Sequence, residues 1–212
     1  MNGKGEGGNS GGMLLIGLTG NVGSGKSTVA RLWREERGAT VIDADLLGVE
    51  AVRPGSEALK KLVERFGDKI LQADGSLDRR LMGQIAFSSS EDLEALNSIV
   101  HPEIIRQITS AVEQAKNKGK PVVVVDAALI FEFGFDEIMD RVVVVDAPLQ
   151  MRKQRMLAKK KMDDQTLEKL MSFQLSAEEL RRRGHYVIEN HGDLNALRGA
   201  ALEVFDRMVG RR

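Results

Sequence analysis

The chain has no cysteine. That excludes a disulfide framework and thiolate metal sites, and it fits a reducing compartment. It has no excess of charge either: 31 basic side chains stand against 31 acidic ones. A balanced chain is not built to attract nucleic acid or a membrane by bulk charge, so any anion it binds must meet a local cluster of donors. No apolar run approaches the roughly 18–20 residues needed to cross a bilayer. The runs Val122–Val125 and Val142–Val145 have the length of buried strands. Histidine is scarce, three in 212 residues, and no metal-ligand spacing involves His185 or His191. The opening MNGKGEGGNSGG lacks the apolar centre of a signal peptide. Its Gly, Asn and Ser content reads residues 1–12 as a disordered tail or an appended remnant, with Met13 a candidate natural start. These absences together predict a cytoplasmic protein without a membrane or nucleic-acid partner.

What is present has the rhythm of an α/β fold. Apolar runs at Met13–Ile16, Thr40–Ile42, Pro121–Val125, Arg141–Val145 and Tyr186–Ile188 read as strands, separated by helical patterns. Continuous Val/Ile runs without polar alternation belong to strands covered on both faces, as in a parallel sheet. The alternation predicts a doubly wound parallel sheet of about five strands. Each run leads into Gly, Asp, Glu or Asn, so the polar chemistry gathers at the carboxyl edge, where such sheets bind ligands. Residues 55–118 break the alternation with helical patterns at Ser56–Phe66, Asp78–Phe87, Glu91–Ile99 and Pro102 to about Lys118. Pro102 is placed at a helix start because its missing amide donor is unpaired there anyway. The reading is one domain over 13–212: a core of 13–54 and 119–212, a helical insertion of about 55–118, and a lid of about 155–175.

Gly20-Asn21-Val22-Gly23-Ser24-Gly25-Lys26-Ser27 matches the phosphate-binding loop G-x-x-x-x-G-K-[ST] at every fixed position. A strand precedes it and an amphipathic helix, beginning with Thr28-Val29-Ala30, follows. The glycines let successive backbone amides turn inward on phosphate oxygens. The helix adds its positive N-terminal end. Lys26 then reaches the β- and γ-phosphates, and Ser27 offers a hydroxyl to magnesium. The loop predicts a P-loop kinase-like fold that binds a nucleoside triphosphate, with ATP and Mg²⁺ as its cofactors.

Asp43-Ala44-Asp45 follows the second strand. In an extended segment the two carboxylates share a face. Asp45 is the candidate base for a substrate hydroxyl; the competing reading makes it the N-cap of a helix starting near Leu46. Asp126, at the end of the third strand, is a candidate magnesium-shell residue or a turn residue. His101 is a donor to substrate or a satisfied helix-entry residue. Arg79 and Arg80 either clamp substrate phosphates or lie on a solvated helix face. Arg152, Arg155 and Lys159-Lys160-Lys161 form the densest basic stretch, either a lid that neutralises transferring charge or a solvated face. Met162-Asp163-Asp164 interrupts it before a further helical pattern at Gln165–Phe173.

Taken together, from about Leu14 to Val209, these motifs resemble the dephospho-coenzyme A kinase family. I-G-L-T-G-N-V-G-S-G-K-S-T is similar to its opening, V-I-D-A-D at 41–45 to its acceptor-side motif, and R-P-G at 53–55 to the turn that follows. D-G-S-L-D-R at 74–79, L-N-S-I-V-H-P at 96–102 and L-I-F-E at 129–132 resemble further family segments, and Gln174 and Asn190 fall where it carries Gln and Asn. The resemblance implies ATP-dependent phosphorylation of the ribose 3′-hydroxyl of dephospho-coenzyme A, with Asp45 as base. It implies Arg79, His101 and Glu132 on the acceptor side, Asn190 on the ATP side, and Arg155 and Lys159 in a closing lid. The sequence departs from the family pattern at Ala128, usually Pro, at Arg152, usually Gln, and at Lys159, usually Arg. Lysine keeps that charge without the planar two-pronged fork. Gly184-His185 replaces Ala-Asp in a stretch that the resemblance puts near the adenine. Two other readings of the same residues are a nucleoside or nucleotide kinase of this fold and a non-catalytic nucleotide-binding regulator. The sequence is compatible with a monomer or a small homo-oligomer.

Overall fold

The Val- and Ile-rich runs do become strands, and all of them are parallel. A computed structural model describes residues 12–86, 88–158, 171–172 and 174–210. Strands β1 (Leu14–Thr19), β2 (Thr40–Asp43), β3 (Val122–Asp126), β4 (Arg141–Asp146) and β5 (Tyr186–Glu189) form one sheet in the order β2-β3-β1-β4-β5. The interior residues of β3 and β4 are buried throughout, because helices cover both faces and leave no position for a polar side chain. β1 connects outward to β2 while β3 crosses to β4 on the other side. The crevice between the carboxyl ends of β1 and β3 is therefore the point where chain direction reverses. Leu18 of β1 and Asp43 of β2 both pair in register with Asp126.

β1 runs three residues beyond the expected Ile16. Gly17 reads as the start of a loop, yet it sits inside the strand: a Cβ there would meet Ile130 Cδ1 at 2.9 Å. The glycine serves close packing against the segment after β3.

One face of the sheet is covered by α1 (Lys26–Arg37) and α8 (Leu194–Val209). Trp33 is fully buried there, and its indole N–H donates to the Ala201 carbonyl at 2.8 Å. The other face is covered by the second half of α5 (Ser90–Asn117), the segment after β3 and α7 (Ala177–Arg183). A third core, separate from both, joins α3 (Glu57–Phe66), α4 (Arg79–Ala86) and the first half of α5 through Leu59, Leu62, Phe66, Ile70 and Met82.

α5 corrects the sequence reading. Pro102 does not start a helix; it lies inside one of 28 residues. Proline in a helix interior costs about 3 kcal/mol. Here Leu96, Ile99 and Val100 pack into the third core, while Ile104 and Ile108 pack onto the sheet. Burial on both sides of the proline holds the helix through it. Phe87, Lys159–Lys161 and most of the Gln165–Phe173 pattern lie outside the described residues.

Candidate active site

The loop after β1 delivers Lys26 as the first residue of α1. Gly25 takes φ 102°, and a Cβ there would fall 2.3 Å from Asn190 Nδ2. Only glycine fits this corner. Asn190 is buried and donates from Nδ2 to the Ser24 carbonyl at 2.7 Å. Arg155, on α6 (Leu149–Ala158), donates to Asn190 Oδ1 at 3.2 Å and to the carbonyls of Gly23 and Ser24 at 3.4 Å. Asn190 and Arg155 thus hold the outer, carbonyl-bearing side of the loop. Of its amides, that of Val22 donates to Gln174 Oε1 at 2.9 Å and that of Ser24 to the Asn21 carbonyl at 3.0 Å.

Lys26 pairs with Asp126 at the end of β3, and the two side chains keep only 12% and 7% of their exposure. Burial pushes the Asp126 carboxyl above the usual carboxylate range, Lys26 opposes the shift, and Asp43 and Asp45 reinforce it.

Asp43 and Asp45 do not share a face of extended chain. Asp43 ends β2 and is itself the N-cap of α2 (Ala44–Ala51), its Oδ1 accepting from the amides of Asp45 at 3.0 Å and Leu46 at 3.1 Å. The helix thus starts two residues earlier than expected, and the capping role falls to Asp43. Asp45 stands exposed in the first helical turn, on the wall of the cleft.

The opposite wall comes from the helical region. Arg79 opens α4, where Asp78 Oδ1 accepts the Leu81 amide at 2.9 Å. Arg79 lines the cleft, and Arg80 is exposed outside it. His101 packs against Phe133 with ring centroids 3.5 Å apart, and its Nε2 is buried with no hydrogen-bond partner. Burial lowers its pKa, so the ring is neutral at pH 7. Glu132 accepts the Leu175 amide on Oε1 at 2.9 Å, while its Oε2 is buried and unpartnered. One cleft of about 1070 Å³ contains the whole loop 20–27, Thr28, Asp45, Arg79, His101, Glu132, Arg155, Gln174 and Asn190. It exceeds the usual span of single-ligand pockets, roughly 300–1,000 Å³.

Several features escape sequence reasoning. An apolar wall of Leu77, Met82, Leu93, Leu96 and Val100 extends the cleft into the helical region, and helical periodicity alone does not separate such residues from core. A strap over the loop is formed by Gln174 and Leu175, of which only Gln174 carried a signal, through the family resemblance. The departures also find places. The Ala128 carbonyl accepts the Thr19 hydroxyl at 3.2 Å. Arg152 is buried, with Nε donating to the Ala147 carbonyl at 3.0 Å. His185 lies beside the beginning of β4, its Nδ1 accepting the Val142 amide at 3.0 Å, at the sheet edge opposite the crevice. This departure is therefore not beside the nucleotide end of the cleft, against the expectation. Lys159 is outside the described residues.

A parallel sheet of this order, with a phosphate-binding loop after its central strand and carboxylates lining the same cleft, defines a P-loop kinase fold. Comparison with known proteins narrows the class. A family model for dephospho-CoA kinase matches residues 14–196. The dephospho-CoA kinase of Corynebacterium diphtheriae is 42% identical over 197 residues, 93% of this chain and 98% of that protein. A crystal structure from Thermus thermophilus superposes with a TM-score of 0.78 at 33% identity, covering 94% of this chain and all of that one. The dephospho-CoA kinase of Campylobacter jejuni shares the fold, with a TM-score of 0.68 at 22% identity over 92% of this chain and 96% of that one. The chain belongs to the dephospho-CoA kinase family.

Proposed function

We propose that this chain transfers the γ-phosphoryl group of ATP to the ribose 3′-hydroxyl of dephospho-CoA, the last step of coenzyme A synthesis. One observation carries the reading. A single cleft joins the phosphate-binding loop to Asp45, Arg79 and a buried, unpartnered His101 Nε2. A buried polar atom without a partner costs free energy, which a hydrogen bond from bound acceptor offsets.

In this reading the loop amides, with Lys26 and Thr28, hold the phosphate chain. Asp45 orients the ribose hydroxyl and takes its proton as the oxygen attacks. Arg79 and His101 fix the acceptor, with neutral His101 acting by hydrogen bonding. Glu132 Oε2 accepts a further donor from the acceptor. Asn190 and Arg155 set the nucleotide end of the loop, and the lid role that the resemblance gives Lys159 falls outside the described residues. The region of about 55–118 is the acceptor-binding part of the domain. The hard oxygens of Ser27 and Asp126 suit Mg²⁺, which binds through one or two carboxylates and substrate phosphates rather than a protein cage. Bound there, the ion would neutralise charge on the phosphates. Positioning and electrostatics carry most of the catalysis.

The absence of cysteine supports a cytoplasmic setting, and no described helix is long and apolar enough to cross a membrane. The test is incubation with magnesium-ATP and a panel of dephospho-CoA, nucleosides and nucleoside monophosphates. Coenzyme A is the expected product. Transfer only to nucleosides or monophosphates would overturn the acceptor assignment, and ATP binding without transfer would make the chain a regulator.

A further inference from the structure

The phosphate-binding loop is gripped from above by two residues that no step so far uses. The Gln174 carboxamide oxygen Oε1 accepts the Val22 backbone N–H at 2.9 Å. The neighbouring Leu175 is fixed at both backbone groups. Its carbonyl accepts from Asn21 Nδ2 at 2.9 Å, and its amide donates to Glu132 Oε1 at 2.9 Å. A backbone N–H can be met only by an acceptor, so the orientation of the Gln174 amide is chemically determined. Its oxygen lies on the loop, and the opposite arm, Nε2, carries its two donors. Gln174 lines the same cleft as Lys26 and Asp45.

We propose that Gln174 is a catalytic residue of the reaction inferred above: its Nε2 donates a hydrogen bond to the transferring γ-phosphoryl group. Val22 lies in the loop whose amides form the phosphate cradle. By accepting the Val22 N–H and offering its own N–H groups further out, Gln174 extends the donor array toward the terminal phosphate. The oxygens of that group carry the charge that must be stabilised in transfer. The ties from Asn21 and Glu132 hold the neighbouring backbone in place before reaction, which is what makes a donor effective at a developing charge. Glu132 contributes here as a positioning residue, through Leu175 and not through the phosphate.

The proposal rests on the kinase reading, but its test has an arm that needs no acceptor. Gln174→Glu keeps an oxygen for the Val22 N–H and replaces the Nε2 donors with a carboxylate oxygen. Binding of ADP and of the non-hydrolysable imido analogue of ATP is measured for the wild type and the variant, with thermal melting as the check on folding. We expect the variant to bind ADP within a few-fold of the wild type and the analogue about tenfold or more weakly, the scale of one hydrogen bond to a charged group. With dephospho-CoA as acceptor, kcat should fall roughly 100-fold, as for loss of one donor to a developing anion. Gln174→Ala should lose both the strap and the donor. An unchanged analogue-to-ADP preference and near-normal kcat in Gln174→Glu, with Gln174→Ala impaired, would overturn the proposal and leave Gln174 as a strap alone. Should Gln174→Glu fail to fold, Gln174→Met keeps the length without either arm. Loss of the γ-phosphate preference there supports the proposal, and retention overturns it. Failure of the wild type to phosphorylate dephospho-CoA would refute the acceptor assignment while leaving the nucleotide-binding arm to decide on Gln174.

Discussion

Asp45 and His101 show how little a residue's type says about its work before its surroundings are known. Asp45 is free to meet a substrate because Asp43, two positions earlier, takes the capping duty. We expect Asp45→Asn to keep ATP affinity within a few-fold and to cut turnover at least about 100-fold, the low end for a positioned base. Turnover near the wild-type rate would remove Asp45 from the base role. His101 is held neutral by burial, its pKa below the ordinary value of 6.5. A group that the fold keeps deprotonated adds stability that is full above that value. The contribution is lost as pH falls from there toward the folded-state pKa. Urea unfolding between pH 7 and pH 5 should therefore show the wild type losing more stability than His101→Asn. Parallel profiles would show that burial of His101 has no such cost. The loop residues 20–27 were legible from spacing alone, because each fixed position has a chemical reason. The unpartnered Nε2 of His101 was not legible, because it depends on Phe133, far along the chain.

At the scale of elements, α2 is short, and it carries the candidate base in its first turn. Its start depends on the Asp43 cap. Asp43→Ala should cost about 1 kcal/mol and Asp43→Ser much less, since serine caps nearly as well. The alanine variant should also lower kcat by loosening the turn that orients Asp45. Chemical denaturation beside steady-state kinetics measures both, and equal stability of the two variants would count against the cap. Strands were easy to read: a run such as Val122–Val125 has no face to give to solvent. α5 was misread at Pro102, because local propensity knows nothing of the two cores that the helix joins. The strap at Gln174-Leu175 was invisible as structure, because its partners are about 150 residues away on the loop.

At the scale of the whole molecule, the phosphate-binding loop is a point of linkage between ligand and fold. ATP at about a hundred times its Kd should add about 2.7 kcal/mol. For a chain of this size that is roughly 5–10 °C in Tm. Lys26→Met should abolish most of the shift, and an equal shift in that variant would show that the nucleotide binds elsewhere. The sequence by itself determined the parallel α/β class, the phosphate-binding loop and, through its resemblance, the family, because those rest on short-range periodicity and fixed spacings. The tertiary structure decided which aspartate caps and which one faces the cleft, and that α5 runs through its proline. It also decided that Arg155 and Asn190 brace the loop from outside while Gln174 grips it from above. Each of these depends on groups that the chain brings together only when the sheet closes its cores, and no local pattern records such a meeting.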